Sequence, residues 1–194
     1  VGFVSEDEGW LVASTGSASG MSYNYVFRTT DGGKTWTQTG NTNDLYLHNL
    51  SGAGFATADI AFLSFRVDSD PGPVIYWTQD GGETWARLDV TMPEMYDYNT
   101  PLSPVFSGAD GIYPIRCQVD GATGEYVMYY LTSSDYGLTW TYDPDLGTDE
   151  ASAMSSYLTY SLPDTLESGA FDSSLGSLGG SLFCLKSTGS STAM

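Results

Sequence analysis

The chain has 194 residues, and its Lys+Arg 6 against Asp+Glu 24 gives a formal charge of -18. Such a field repels phosphate backbones and anionic lipid surfaces, which argues against nucleic acid and membrane-surface partners. No apolar run reaches the roughly 18 residues a spanning helix needs, so no membrane insertion is expected.

In chain order, Val1–Val4 reads as a strand, Ser5–Gly9 as a polar turn and Trp10–Ala13 as a second strand. Ser14–Gly20 reads as a small-residue loop and Tyr23–Thr29 as a third strand. A chain that starts inside a strand, with neither an initiator Met nor a signal peptide, is expected to be a piece of a longer polypeptide. Next comes Thr29-Thr30-Asp31-Gly32-Gly33-Lys34-Thr35-Trp36. It recurs as Thr78-Gln79-Asp80-Gly81-Gly82-Glu83-Thr84-Trp85 and as Ser133-Ser134-Asp135-Tyr136-Gly137-Leu138-Thr139-Trp140. The copies start 49 and 55 residues apart, a spacing that signals a repeat architecture.

Each copy follows an apolar run and has the chemistry of a hairpin turn. Asp accepts hydrogen bonds from backbone N–H groups just ahead of it. The glycines tolerate positive φ, and Thr-Trp opens the next strand. Between the first two copies, Asn41–Gly54 reads as a polar connection holding the only histidine, His48, and Ile60–Phe65 and Val74–Trp77 as strands. Between the second and third, Met92–Pro104 reads as a long connection with Tyr96-Asp97-Tyr98-Asn99. Pro104–Phe106, Gly111–Gln118 and Tyr126–Leu131 are strands, and Gly121–Gly124 is a hairpin turn. Leu182–Lys186 is a further apolar run, and Ser187–Met194 overlays the octapeptide in degenerate form.

The three octapeptides resemble the Asp-box repeat of β-propellers, a family that includes sialidases, sortilin-like receptor domains, xyloglucanases and photosystem II assembly factors. The resemblance implies an all-β fold: a β-propeller segment of about three to four blades, each of four antiparallel strands, with the box at the turn between strands three and four. The blades are expected at 1–40, 41–90 and 91–148, with 149–194 a degenerate or incomplete fourth blade or a flexible tail. Asp31, Gly33, Thr35, Trp36, Asp80, Gly82, Thr84, Trp85, Asp135, Gly137, Thr139 and Trp140 are then structural. Each Trp is expected to fill the same slot between neighbouring repeats.

No catalytic residue, metal ligand or cofactor is expected. The box lacks the oxygen-ligand spacing of a calcium loop, and Cys117 and Cys184 show no metal spacing. The two thiols either pair or are ordinary buried groups; the second is preferred because they sit in different repeats. The sialidase motif Phe/Tyr-Arg-Ile-Pro is absent, and Tyr113-Pro114-Ile115-Arg116 has its residues in the wrong order. The expected function is a non-catalytic binding module for protein or glycan, in a secreted or cell-surface, bacterial protein. The alternative is a fragment of a glycoside hydrolase with catalytic residues partly elsewhere. Candidate ligand contacts are Tyr96, Tyr98 and His48, on the connections at Asn41–Gly54 and Met92–Thr100.

Overall fold

The computed structural model describes residues 1–18, 21–40, 49–66, 72–94, 96, 98–146, 175–178 and 181–184. They form fifteen strands in three sheets. The first blade is β1 (Gly2–Phe3), β2 (Gly9–Ala18), β3 (Met21–Thr29) and β4 (Thr37–Gln38), each antiparallel to the next. The second is β5 (Asn49–Phe55), β6 (Ala61–Arg66), β7 (Val74–Thr78) and β8 (Ala86–Arg87). In the third, β9 (Tyr98–Pro101) and β10 (Val105–Ser107) share one edge of β11 (Asp110–Asp120), followed by β12 (Glu125–Ser133) and β13 (Thr141–Tyr142). The hairpin of β14 (Leu175–Leu178) and β15 (Ser181–Cys184) joins the first sheet through a parallel pairing of Leu178 with Phe3. Ser187–Met194 lies outside the described residues. Among the described residues the one helical segment is a 3-10 turn at Pro144–Leu146.

Three segments differ from their sequence-based readings. β2 runs on through Ala18 and β3 starts at Met21, so Ser14, Thr15 and Ala18 of the expected Ser14–Gly20 loop are paired. Asn49–Phe55 is an inner strand rather than a polar connection. Its small residues carry little strand propensity; what places them is close approach between sheets. A Cβ at Gly52 would stand 2.4 Å from the Ser103 nitrogen, and one at Gly54 2.4 Å from Pro104 Cγ. Ser51 Oγ donates to the Pro101 carbonyl at 2.6 Å, and Ala53 N–H to Ser103 Oγ at 3.1 Å. Tyr98–Pro101 is likewise strand β9 rather than connection, held against Ile115–Gln118.

The core lies between the sheets, and its two halves repeat one arrangement. Each first hairpin sets a Phe opposite a small residue: Phe3 with Gly9, Phe55 with Ala61, Phe106 with Gly111. The residue after the small one is large, and in the first two blades it plugs the gap to the next blade. Trp10 is fully buried, stacks on Phe55 at 5.8 Å and donates from Nε1 to the Thr57 carbonyl. Phe62 is fully buried, stacks on Phe106 at 5.6 Å and meets Trp140 edge-on at 5.8 Å. The seat of each plug is a glycine of the next blade's box. A Cβ on Gly82 would lie 3.2 Å from the Trp10 ring, and one on Gly137 2.5 Å from Phe62 Cζ. Arg28 covers Trp10, its guanidinium 5.0 Å from the ring, and pairs at 3.9 Å with a largely exposed Asp59. At that distance and exposure the ring contact outweighs the ion pair.

Candidate binding site

The octapeptides begin at the last residues of β3, β7 and β12, and their hydrogen bonds repeat. Thr29 Oγ1 donates to Asp31 Oδ1 (2.8 Å) and accepts from Gly33 N–H (2.9 Å). Asp31 accepts from Thr35 N–H (2.9 Å) and from Thr35 Oγ1 (2.6 Å). The same four bonds link Thr78, Asp80, Gly82 and Thr84, and link Ser133, Asp135, Gly137 and Thr139. The box is also pinned to its own blade's first hairpin. Gly32, Gly81 and Tyr136 donate N–H groups to the carbonyls of Asp7, Asp59 and Ala109. Each box carboxylate is therefore an acceptor for its own turn.

This bonding lowers the carboxyl pKa values. The Thr35 hydroxyl, the Thr35 N–H and the Thr29 hydroxyl hold Asp31 at about 2, below its ordinary 3.8. For Asp80 burial acts upward, but bonds from Thr84 and Thr78 outweigh it and the net shift is down. The Thr139 N–H and hydroxyl lower Asp135. All three folded values lie below the unfolded one, so their stabilisation is in place above about pH 4 and is lost as the pH falls toward about 2. The thermal midpoint should drop across that window, and Asp80→Asn should shallow the drop; a superimposable profile would count against the turn role. Thr78 is buried at 2% exposure. Thr78→Val should cost about 1–3 kcal/mol in urea unfolding, because the buried Gly82 N–H loses its acceptor.

The box indoles are only half-buried. Trp36 and Trp85 donate from Nε1 to the carbonyls of Gly33 and Gly82. Trp140 packs with Phe62, Phe106 and Tyr113, and Trp85 against the first inter-blade cluster. Trp36 meets Phe3 at 6.0 Å. The deepest plugs are instead Trp10 and Phe62, and the sequence signal that could have found them is the small-large step at Gly9-Trp10, Ala61-Phe62 and Gly111-Ile112.

The inner strands line an open cavity of about 630 Å³. It is walled by Val1–Val4, by Leu50 and Ala53–Ala56, and by Ser103–Phe106, with Val12, Gly108 and Tyr136 completing it. Tyr136 is the one side chain in that lining with a titratable group, and there is no carboxylate, imidazole, thiol or cationic side chain. Tyr136 also holds a φ of 62°, where the other two boxes carry Gly32 (71°) and Gly81 (74°). Left-handed backbone costs a non-glycine residue about 1–2 kcal/mol. Tyr136→Gly should therefore leave stability unchanged or raise it by about 1 kcal/mol, read from the urea midpoint.

The predicted ligand contacts separate. Tyr96 is half-buried, tilted against Tyr129 at 6.0 Å, with its hydroxyl donating to Glu94 Oε2 and lying 3.0 Å from the Tyr129 hydroxyl. These bonds to Glu94 and Tyr129 push the Tyr96 hydroxyl pKa well up. Tyr98 stands on β9 and is exposed. His48 lies outside the described residues. Cys117 is an unpaired buried thiol, pushed up to about 12 by burial. Among the described residues, no group of three or more His, Cys, Asp or Glu gathers as a metal site would require.

No family model and no curated protein matches the chain. A search of solved structures finds similarity to "YCF48 bound to D1 peptide", at TM-score 0.44 and 19% identity, covering 73% of this chain and 37% of that one. The chain thus spans little more than a third of that structure's length. By its own strand order and register, repeated box turns and plugged sheet interfaces, the chain is an all-β segment of β-propeller blades.

Proposed function

We propose that the chain is a non-catalytic binding module of a secreted or cell-surface protein, and that the inner-strand cavity takes a short segment of a protein partner. The observation that carries this reading is Tyr136. A phenol is held in left-handed backbone at the wall of the cavity, in a turn where glycine serves twice elsewhere. Local strain of this kind concentrates at functional positions. The lining side chains are mostly apolar while the exposed surface between them is largely polar, which suits both the side chains and the amides of a peptide. A glycoside hydrolase would need two carboxylates facing across a cleft, and the described lining supplies none.

Selection of displayed random peptides on the wild-type chain tests the reading. Peptides that share a sequence motif should be enriched. Their affinity should fall about tenfold in Tyr136→Gly and further in Val105→Glu, while Tyr136→Gly folds at least as stably as wild type. No enrichment, or affinity indifferent to both substitutions, would overturn it.

A further inference from the structure

We infer that the open part of the third blade's outer face is a platform for a neutral saccharide, seated between Tyr98 and Tyr126. This surface is separate from the inner-strand cavity. Tyr98, Gln118 and Tyr126 form one row across β9, β11 and β12. Directly opposed residues share a face, and two strand spacings set the tyrosines about 10 Å apart. Both rings are exposed, Tyr98 by 39% and Tyr126 by 52%.

One row along the same face, Arg116 lies opposite Thr100 and Met128. Its guanidinium stands 4.8 Å from the Tyr126 centroid and makes no ion pair among the described residues. From that row onward the face closes, with Met128 beside Arg116 and Ile112 and Tyr130 beyond it packed against Leu102 and Leu146. The open part is therefore a bounded patch, two phenol rings flanking an amide, with a guanidinium over one face of the Tyr126 ring.

That chemistry selects the occupant. A pyranose ring offers C–H faces to aromatic rings and a rim of hydroxyls to hydrogen-bonding groups. Gln118 supplies a donor and an acceptor, and Arg116 supplies donors. A strand-adding peptide fits less well. The edge available here is β9, where Pro101 has no N–H and its carbonyl already accepts from Ser51. An anionic ligand would approach against a charge of -18, to which a neutral sugar is indifferent.

The test is calorimetric titration of the chain with cellohexaose, xylohexaose, chitohexaose and maltohexaose. At least one should bind with a Kd between about 10 μM and 1 mM, and Tyr98→Ala and Tyr126→Ala should each weaken it about tenfold or more. The thermal midpoint should be unchanged in both, and Tyr136→Gly should bind as wild type does. Three results would overturn the platform: no binding of any hexasaccharide at millimolar concentration, binding that survives both tyrosine substitutions, or binding abolished by Tyr136→Gly alone.

Discussion

Gly137→Ala is expected to cost about 3–5 kcal/mol, combining the left-handed backbone penalty with overpacking. Its φ is 84°, and the added methyl would stand 2.5 Å from Phe62 Cζ, inside any tolerable contact. The ring has nowhere to retreat, because Phe106, Tyr113 and Trp140 surround it. Gly124 is the control: its φ is 71°, but a Cβ there would meet nothing within 4 Å. Gly124→Ala should therefore cost only the backbone part, about 1–2 kcal/mol. The difference between the two urea midpoints measures the seat of Phe62, and equal losses would show that no such seat exists. In a double-mutant cycle, Phe62→Ala should relieve part of the Gly137→Ala penalty, since the clash needs both partners.

Trp10→Ala is expected to cost about 3–5 kcal/mol, the range for emptying a buried aromatic site. The loss includes the stack on Phe55, the Arg28 contact and the hydrogen bond to Thr57, all of which tie the first blade to itself or to the second. Trp10→Phe should cost less, because the next interface is filled by Phe62 in the equivalent place. Trp36→Ala should cost about 1–2 kcal/mol, its ring being half-buried with Phe3 as its aromatic neighbour. If thermal unfolding ranks Trp36→Ala above Trp10→Ala, the box indole is the wedge after all.

That ranking marks the limit of what was legible. The octapeptide was readable because the side-chain bonds that shape its turn are local. Asp31 reaches Thr29 and Thr35 within four residues, and the positive φ of the glycines is a property of the turn itself. A chemistry confined to eight residues leaves its pattern in eight residues. The inner strand at Asn49–Phe55 left no such pattern: its Ser and Gly residues read as a loop, and only the approach of Leu102–Pro104 gives them a reason to be small.

The candidate ligand contacts divide along the same line. Adjacent aromatics at Tyr96 and Tyr98 carried one signal in the sequence. Packing turned Tyr96 toward Tyr129 and Glu94, and strand pairing set Tyr98 in a row with Gln118 and Tyr126, twenty and twenty-eight residues away. The strained Tyr136 was visible only as a departure from glycine; its place at the cavity wall was not.

By itself, the sequence determined the turns, the repeat and the all-β class, since each follows from interactions between near neighbours in the chain. The tertiary structure alone decided which aromatics plug the sheets, which small residues let them close, and which tyrosines stay open to a ligand. Those outcomes depend on which surfaces meet after the chain has folded, and no short-range pattern encodes that meeting.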